Sequence, residues 1–230
     1  MTDDVTGNAW TGKLSISDAR GVMAKRSIVY IDGFNLYYGS VRGTPYKWLN
    51  LQRYFTLLRP DDDLQQIHYF TALIDGPTQP NQVTYLKALG TLPLMHVVLG
   101  KFKTKRVRCG VSQCTFGGTR FFPASEEKRT DVNIAVHILD DAYQNRCDRF
   151  VLVSGDSDLV PAVDKVKALF PTKEMIVYVP SRDPIRGAAV ELRSAADKHR
   201  SLPLNLFPRA QFPLTLPDGF NGLLKKPSHW

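Results

Sequence analysis

Cysteine is scarce in this chain. Cys109, Cys114 and Cys147 are the only three among 230 residues, too few and too unevenly spaced for a disulfide framework, which fits a reducing compartment. Long apolar runs are missing too. No stretch of about 18 apolar residues occurs, so no membrane-spanning helix is expected, and residues 1–10 (MTDDVTGNAW) carry neither the basic nor the apolar block of a signal peptide. The reading is a soluble, cytoplasmic protein that does not engage membranes. Acid is also in short supply, with 22 Asp and Glu against 30 Lys and Arg, a net charge of +8. That surplus favours a polyanionic partner, nucleic acid before others, but fixes neither fold nor specificity. No internal repeat is present.

What is there alternates between strand and helix patterns. Residues 1–24 read as an N-terminal extension, residues 25–200 as one globular domain, and residues 201–230 as a proline-rich tail with alternating Leu and Phe that packs on it. Within the domain, short β-branched runs at 27–31, 64–74, 94–99, 150–153 and 175–179 predict five strands. Helical spacing is expected after residue 33, over 49–58, over 81–89 before Gly90, from 132 to 143, from 159 to 170, and over 185–196. Asp61, Asp62 and Asp63 read as a solvated loop. Residues 100–122 break the alternation with basic residues, Cys109, Cys114, Gly117-Gly118 and paired aromatics, and predict a hairpin-like insert. The expected fold class is α/β, a mostly parallel sheet covered by helices on both faces.

In such a sheet, ligands bind at the carboxyl edge where the strand order reverses. The stretch 151–164 (VLVSGDSDLVPAVD) is a buried strand that delivers Asp156 and Asp158 to that edge, Asp32 ends the first strand, and Asp131 opens the helix leading to the fourth. If strands one and four are neighbours, these acids converge. Taken singly, each reads as a helix cap or a first-turn acid facing the helix dipole. As a group they require protons or a cation, and an all-oxygen donor set points to Mg²⁺ or Mn²⁺. Asn35, one turn beyond Asp32, can orient a carboxylate or phosphate oxygen by hydrogen bonding.

Residues 31–36 (IDGFNL), 127–136 (EKRTDVNIAV) and 153–160 (VSGDSDLV) resemble, in order and spacing, the NYN domain of the PIN-like nuclease superfamily, and most nearly its LabA-like branch. Residues 193–197 (RSAAD) extend the resemblance, which spans roughly residues 25–217. It implies a Rossmann-like PIN fold with a central parallel sheet, and a metal-dependent ribonuclease, hydrolysing RNA endonucleolytically with a carboxylate-held Mg²⁺ or Mn²⁺ and an activated water. Asp32, Asp131, Asp156 and Asp158 would be the ligands, supported by Asn35. Ser154 would line the phosphate site, and Lys128 and Arg129 would bind flanking phosphates. RNA is the implied partner, and a homo-oligomer is possible on the same fold.

Two departures stand out. His137 occupies a position where that family often has another acid, and it reads as a packed or surface histidine. Cys109 and Cys114 lack a second pair, which argues against zinc in the insert. The aromatic residues Tyr37, Tyr38, Tyr46 and Trp48 suit either packing or stacking on bases. The competing readings are a non-catalytic RNA- or protein-binding module and a small-molecule metal enzyme. A closed apolar pocket near the acids would favour the latter.

Overall fold

Residues 23–118, 120–182 and 189–230 are described by the structure, a computed structural model. The expected N-terminal extension, except for its last two residues, and the segment 185–188 of the expected final helix lie outside the described residues. The chain runs β1 (Lys25–Asp32), α1 (Gly33–Leu36), α2 (Leu51–Leu58), β2 (Asp62–Thr71), α3 (Gln79–Gly90), β3 (Met95–Leu99), β4 (Lys101–Arg108), β5 (Phe121–Lys128), α4 (Thr130–Tyr143) and β6 (Arg149–Val153). It continues through α5 (Val160–Leu169), β7 (Glu174–Val179), α6 (Val190–Ala195), β8 (Lys198–Ser201), β9 (Thr215–Pro217) and β10 (Leu223–Lys225).

Six strands form one parallel sheet in the order β3-β2-β1-β6-β7-β8. The order reverses between β1 and β6, where Ile31 pairs with Val153. Both faces of the central strands β1, β6 and β7 are buried over most of their length, which explains their unbroken apolar runs. Val29 and Ile31 face the layer that contains α2, α3 and the C-terminal tail, whereas Ile28 and Tyr30 face α4 and α5. Residues 134, 138 and 142 of α4 recur at the helical repeat and are all buried against the second face.

The structure corrects two expectations. The sheet has a sixth strand, β8, where five were expected; its four residues (KHRS) are all exposed, so it carries no apolar signal. Asp62 and Asp63 begin β2 rather than sitting in a solvated loop. The Asp62 carboxylate accepts hydrogen bonds from Ser27 Oγ (2.7 Å), from Arg59 Nε (2.9 Å) and from Arg149, and its side chain has no exposed surface. Two guanidinium groups replace the water that the loop reading assumed.

The insert is an antiparallel hairpin, β4 with β5 in continuous register from Lys101↔Lys128 to Arg108↔Phe121. The tail wraps the α2/α3 layer. Trp48, fully buried, donates from its indole Nε1 to Pro213 O at 2.8 Å and packs against Tyr85, Phe212 and Trp230. No described helix is long and apolar enough to cross a membrane.

Candidate metal centre at the switch point

Asp32 is the last residue of β1 and is 3% exposed. It caps the short helix that follows, because its Oδ1 accepts from Asn35 N at 3.0 Å, while Oδ2 accepts from the Asn35 side-chain amide and from Ser154 Oγ at 3.1 Å. Gly33 is required at this turn. A Cβ there would stand 2.7 Å from Phe70 O and 2.8 Å from the Tyr69 ring, so any larger residue would push Asp32 off the sheet edge. Asn35 also accepts from Gly155 N at 3.1 Å, which ties the ends of β1 and β6 together across the switch point.

From β6, Asp156 caps a single 3₁₀ turn (Ser157–Leu159), its Oδ1 accepting from Asp158 N at 3.0 Å. Asp158 lies in that first turn and is exposed. Asp131 enters from the first turn of α4. Carboxylate oxygens of Asp131, Asp156 and Asp158 lie within 4.8 Å of one another. Of the acids singled out in the sequence, these three are brought together at the surface, and Asp32 stands behind them with both oxygens already hydrogen-bonded.

Asn35 therefore holds Asp32. Ser154, which the resemblance assigned to the phosphate site, lies between Asp32 and Asp156. It is fully buried, and its hydroxyl donates to Asp32 while accepting from Asp156 N at 3.1 Å, so it fixes the two acids relative to each other. Lys128 pairs with Glu126 at 2.8 Å. Arg129 is exposed and left-handed (φ 83°), the sharp turn that lets β5 feed α4 and points Asp131 back to the edge.

Glu127 was not among the expected site residues, although it lies inside the second matched motif. It is half-buried near the end of β5 and accepts from Thr130 Oγ1. Burial pushes its carboxyl up to about 7; the Thr130 hydrogen bond opposes this, and the charges of Asp32 and Asp131 add to it. Asp131 is pushed up to about 6 by burial and then by the charges of Asp156, Asp32 and Asp158. Burial raises Asp32 as well, against its hydrogen bonds from Asn35 and Ser154. Packed this closely, the carboxylates favour taking up protons or a cation.

The donor set fits a hard divalent ion, because every donor is a carboxylate oxygen. Cys109 and Cys114 take no part in any cluster of possible metal-holding groups among the described residues. Proton competition sets a pH dependence. Because Asp131 and Glu127 titrate near 6 and 7 when folded and lower when unfolded, the metal-free chain should lose stability as pH rises from about 4 to about 7. Mn²⁺ affinity should run the other way, rising roughly tenfold per pH unit for each proton displaced and levelling off above about pH 8. Calorimetric Mn²⁺ titration at pH 5.5, 6.5 and 7.5 checks this, and a pH-independent affinity would refute it.

An open parallel sheet with a cluster of acids at its switch point defines a Rossmann-like α/β protein of the PIN-like type. The NYN domain family model matches residues 26–203. The chain belongs to the NYN domain family, within the PIN-like nuclease superfamily. It is also similar to the 6-hydroxy-3-succinoylpyridine 3-monooxygenase HspA of Pseudomonas putida, with 32% identity over 198 residues, covering 73% of this chain and 63% of that protein. This chain thus spans less than two thirds of that relative's length. Among solved structures, a protein of unknown function from Vibrio parahaemolyticus matches with a TM-score of 0.49 at 18% identity, over 79% of this chain and 94% of the other. An isochorismatase-like hydrolase from Alkaliphilus metalliredigens matches with a TM-score of 0.32 at 14% identity, over 82% of this chain and 99% of the other. At these levels the two structures bear on neither mechanism nor substrate.

Proposed function

We propose that the chain is a metal-dependent endoribonuclease whose centre is Asp131, Asp156 and Asp158, with Asp32 and Glu127 behind them. The observation that carries this reading is the convergence of acids from β1, α4 and β6 at one sheet edge, with Asp131 and Glu127 raised by burial and mutual repulsion. A divalent ion held there would polarise a phosphoryl oxygen and neutralise the charge that builds up as the phosphodiester is attacked. Asp32, Asn35 and Ser154 keep the carboxylates oriented, which limits the reorganisation needed during the reaction. Glu127, half-buried and held by Thr130, is a carboxylate suited to taking a proton from an attacking water.

The hairpin supports RNA as substrate. β4 presents Lys101, Lys103, Lys105, Arg106 and Arg108, with Phe121 and Phe122 about half exposed on β5. Cations bind phosphates and exposed rings can stack on bases. Incubating the purified chain with single-stranded RNA should give cleavage with Mn²⁺ or Mg²⁺ that EDTA abolishes. Absence of cleavage with either ion, in a chain that binds Mn²⁺, overturns the reading.

A second reading has one observation in its favour. A cavity of about 320 Å³ opens beside Gly33, the residue after Asp32, walled by Phe34, Tyr37, Tyr38, Tyr69, Tyr85 and Trp230 with Arg42 and Lys47 at its rim. Such a cavity suits a small aromatic acid, which is in keeping with the substrate named for the Pseudomonas relative. Oxygen uptake on adding 6-hydroxy-3-succinoylpyridine and an electron donor, without RNA cleavage, would favour this reading over the first.

A further inference from the structure

The described residues contain a second cluster that the acidic centre does not use. His68 on β2 and His96 on β3 are register partners in adjacent parallel strands, so their side chains leave the same face of the sheet. His137 meets them from α4, which covers that face. His68 Nδ1 and His96 Nδ1 are 3.1 Å apart, and one ring nitrogen from each of the three histidines lies within 4.8 Å of the others. A tetrahedral ion with metal–nitrogen bonds of about 2.0–2.1 Å holds its ligand nitrogens roughly 3.3 Å apart. The first pair is already at that spacing.

The far side of each inner ring also fits. His137 Nδ1 is 2.8 Å from Asn133 O, an acceptor, so that nitrogen carries the proton and Nε2 is left bare. His68 is 4% exposed and its Nε2 makes no hydrogen bond, but Asp141 Oδ2 stands 3.5 Å from it. Asp141 is itself buried and held by Tyr30 Oη at 2.7 Å and Arg146 Nη1 at 2.6 Å. A carboxylate behind one imidazole and a main-chain carbonyl behind another are the partners that orient histidines for metal binding. Tyr30 and Phe70 wall the cluster with their rings. His96, exposed on β3, gives an ion access from solvent and leaves a coordination position open.

We infer that His68, His96 and His137 form a second metal site, selective for a borderline late first-row cation of the Zn²⁺ class. Imidazole nitrogens suit Zn²⁺ and Co²⁺, whereas the carboxylates at the switch point suit Mg²⁺ and Mn²⁺, so the two sites sort ions by donor chemistry. They share a helix. Asp131 and His137 are six residues apart on α4, roughly 9 Å along its axis. An ion bound to the histidines would therefore pin α4, which carries Asp131, to β2 and to the edge strand β3. The simpler alternative is a hydrogen bond between two neutral imidazoles, one of which keeps its Nδ1 proton.

Titration of the EDTA-stripped full chain with Co²⁺ separates these readings. One equivalent should bind with the visible absorption bands of a tetrahedral nitrogen site, be displaced by Zn²⁺, and persist in Asp156→Asn. His96→Ala alters an exposed position and should preserve the circular dichroism spectrum. It should weaken Co²⁺ binding by more than the roughly 10–100-fold that losing a partner behind a ligand costs, while Mn²⁺ binding at the acids stays unchanged. His137→Gln should act alike. No Co²⁺ band at millimolar metal, or a band that survives His96→Ala and disappears in Asp156→Asn, overturns the inference.

Discussion

Replacing Asp156 by Asn is expected to lower metal-dependent RNA cleavage by about two to three orders of magnitude, or roughly 2.7–4 kcal/mol of barrier, the scale of removing one preorganised electrostatic contact from a reaction centre. The substitution keeps the shape of the site. An asparagine oxygen can still accept from Asp158 N and cap the 3₁₀ turn. What it removes is a charge that faces Asp131 and Asp32. Two like charges at about 4 Å repel by roughly 1 kcal/mol in water and more in a less polar site. Solvent screening reduces this for a partly exposed group, so the metal-free Asp156→Asn chain should be more stable than the parent by on the order of 0.5 kcal/mol. Urea denaturation in EDTA measures that gain, and cleavage assays measure the loss. A variant that cuts RNA as fast as the parent would rule out the acids as the reaction centre, whereas one less stable in EDTA would show that the cluster is a structural network instead.

Trp48→Ala should cost about 3–5 kcal/mol of folding stability, a large share of the 5–15 kcal/mol typical of a domain. The ring is fully buried, touches three aromatic residues and satisfies the carbonyl of Pro213. Main-chain bonds flank it on the tail, Phe212 N to Trp48 O at 3.0 Å and Asn50 N to Ala210 O at 2.8 Å. Truncation leaves a void and an unpaired carbonyl at the joint between the tail and the α2/α3 layer. Since Trp230 also lines the cavity beside Gly33, the variant should open that cavity to solvent. The urea midpoint reports the stability change. A loss below about 1 kcal/mol would mean that the tail contributes little to the fold.

The sheet and the acids were legible in the sequence for a physical reason. Strands buried on both faces, such as 28–31 and 150–153, must be continuously apolar, and the acids follow directly at their ends. Once β1 and β6 proved to be neighbours, the condition for convergence was met. β8 was missed because an exposed edge strand has no apolar face to pattern. Asp62 was misread because its two arginine partners, Arg59 and Arg149, are distributed over 90 positions, and one of them belongs to another strand. Glu127 lay inside a matched motif, but nothing in its spacing distinguished it from its neighbour Glu126, which is ion-paired with Lys105 and Lys128. The histidine cluster left no local spacing to read, since its members come from two strands and a helix. His137, expected to be a packed or surface residue, is half-buried against His68 and Phe70.

The contact between Ser154 and Asp32 joins positions 122 residues apart. Closing a chain segment of that length costs about 4 kcal/mol in entropy, and nothing local repays it. The acidic centre therefore forms only together with the pairing of β1 and β6, whose ladder closes the same segment. A ribosome-bound fragment ending before β6 would hold Asp32 and Asp131 but not the strand that brings them together. Metal binding would then report that β6 has joined the sheet beside β1.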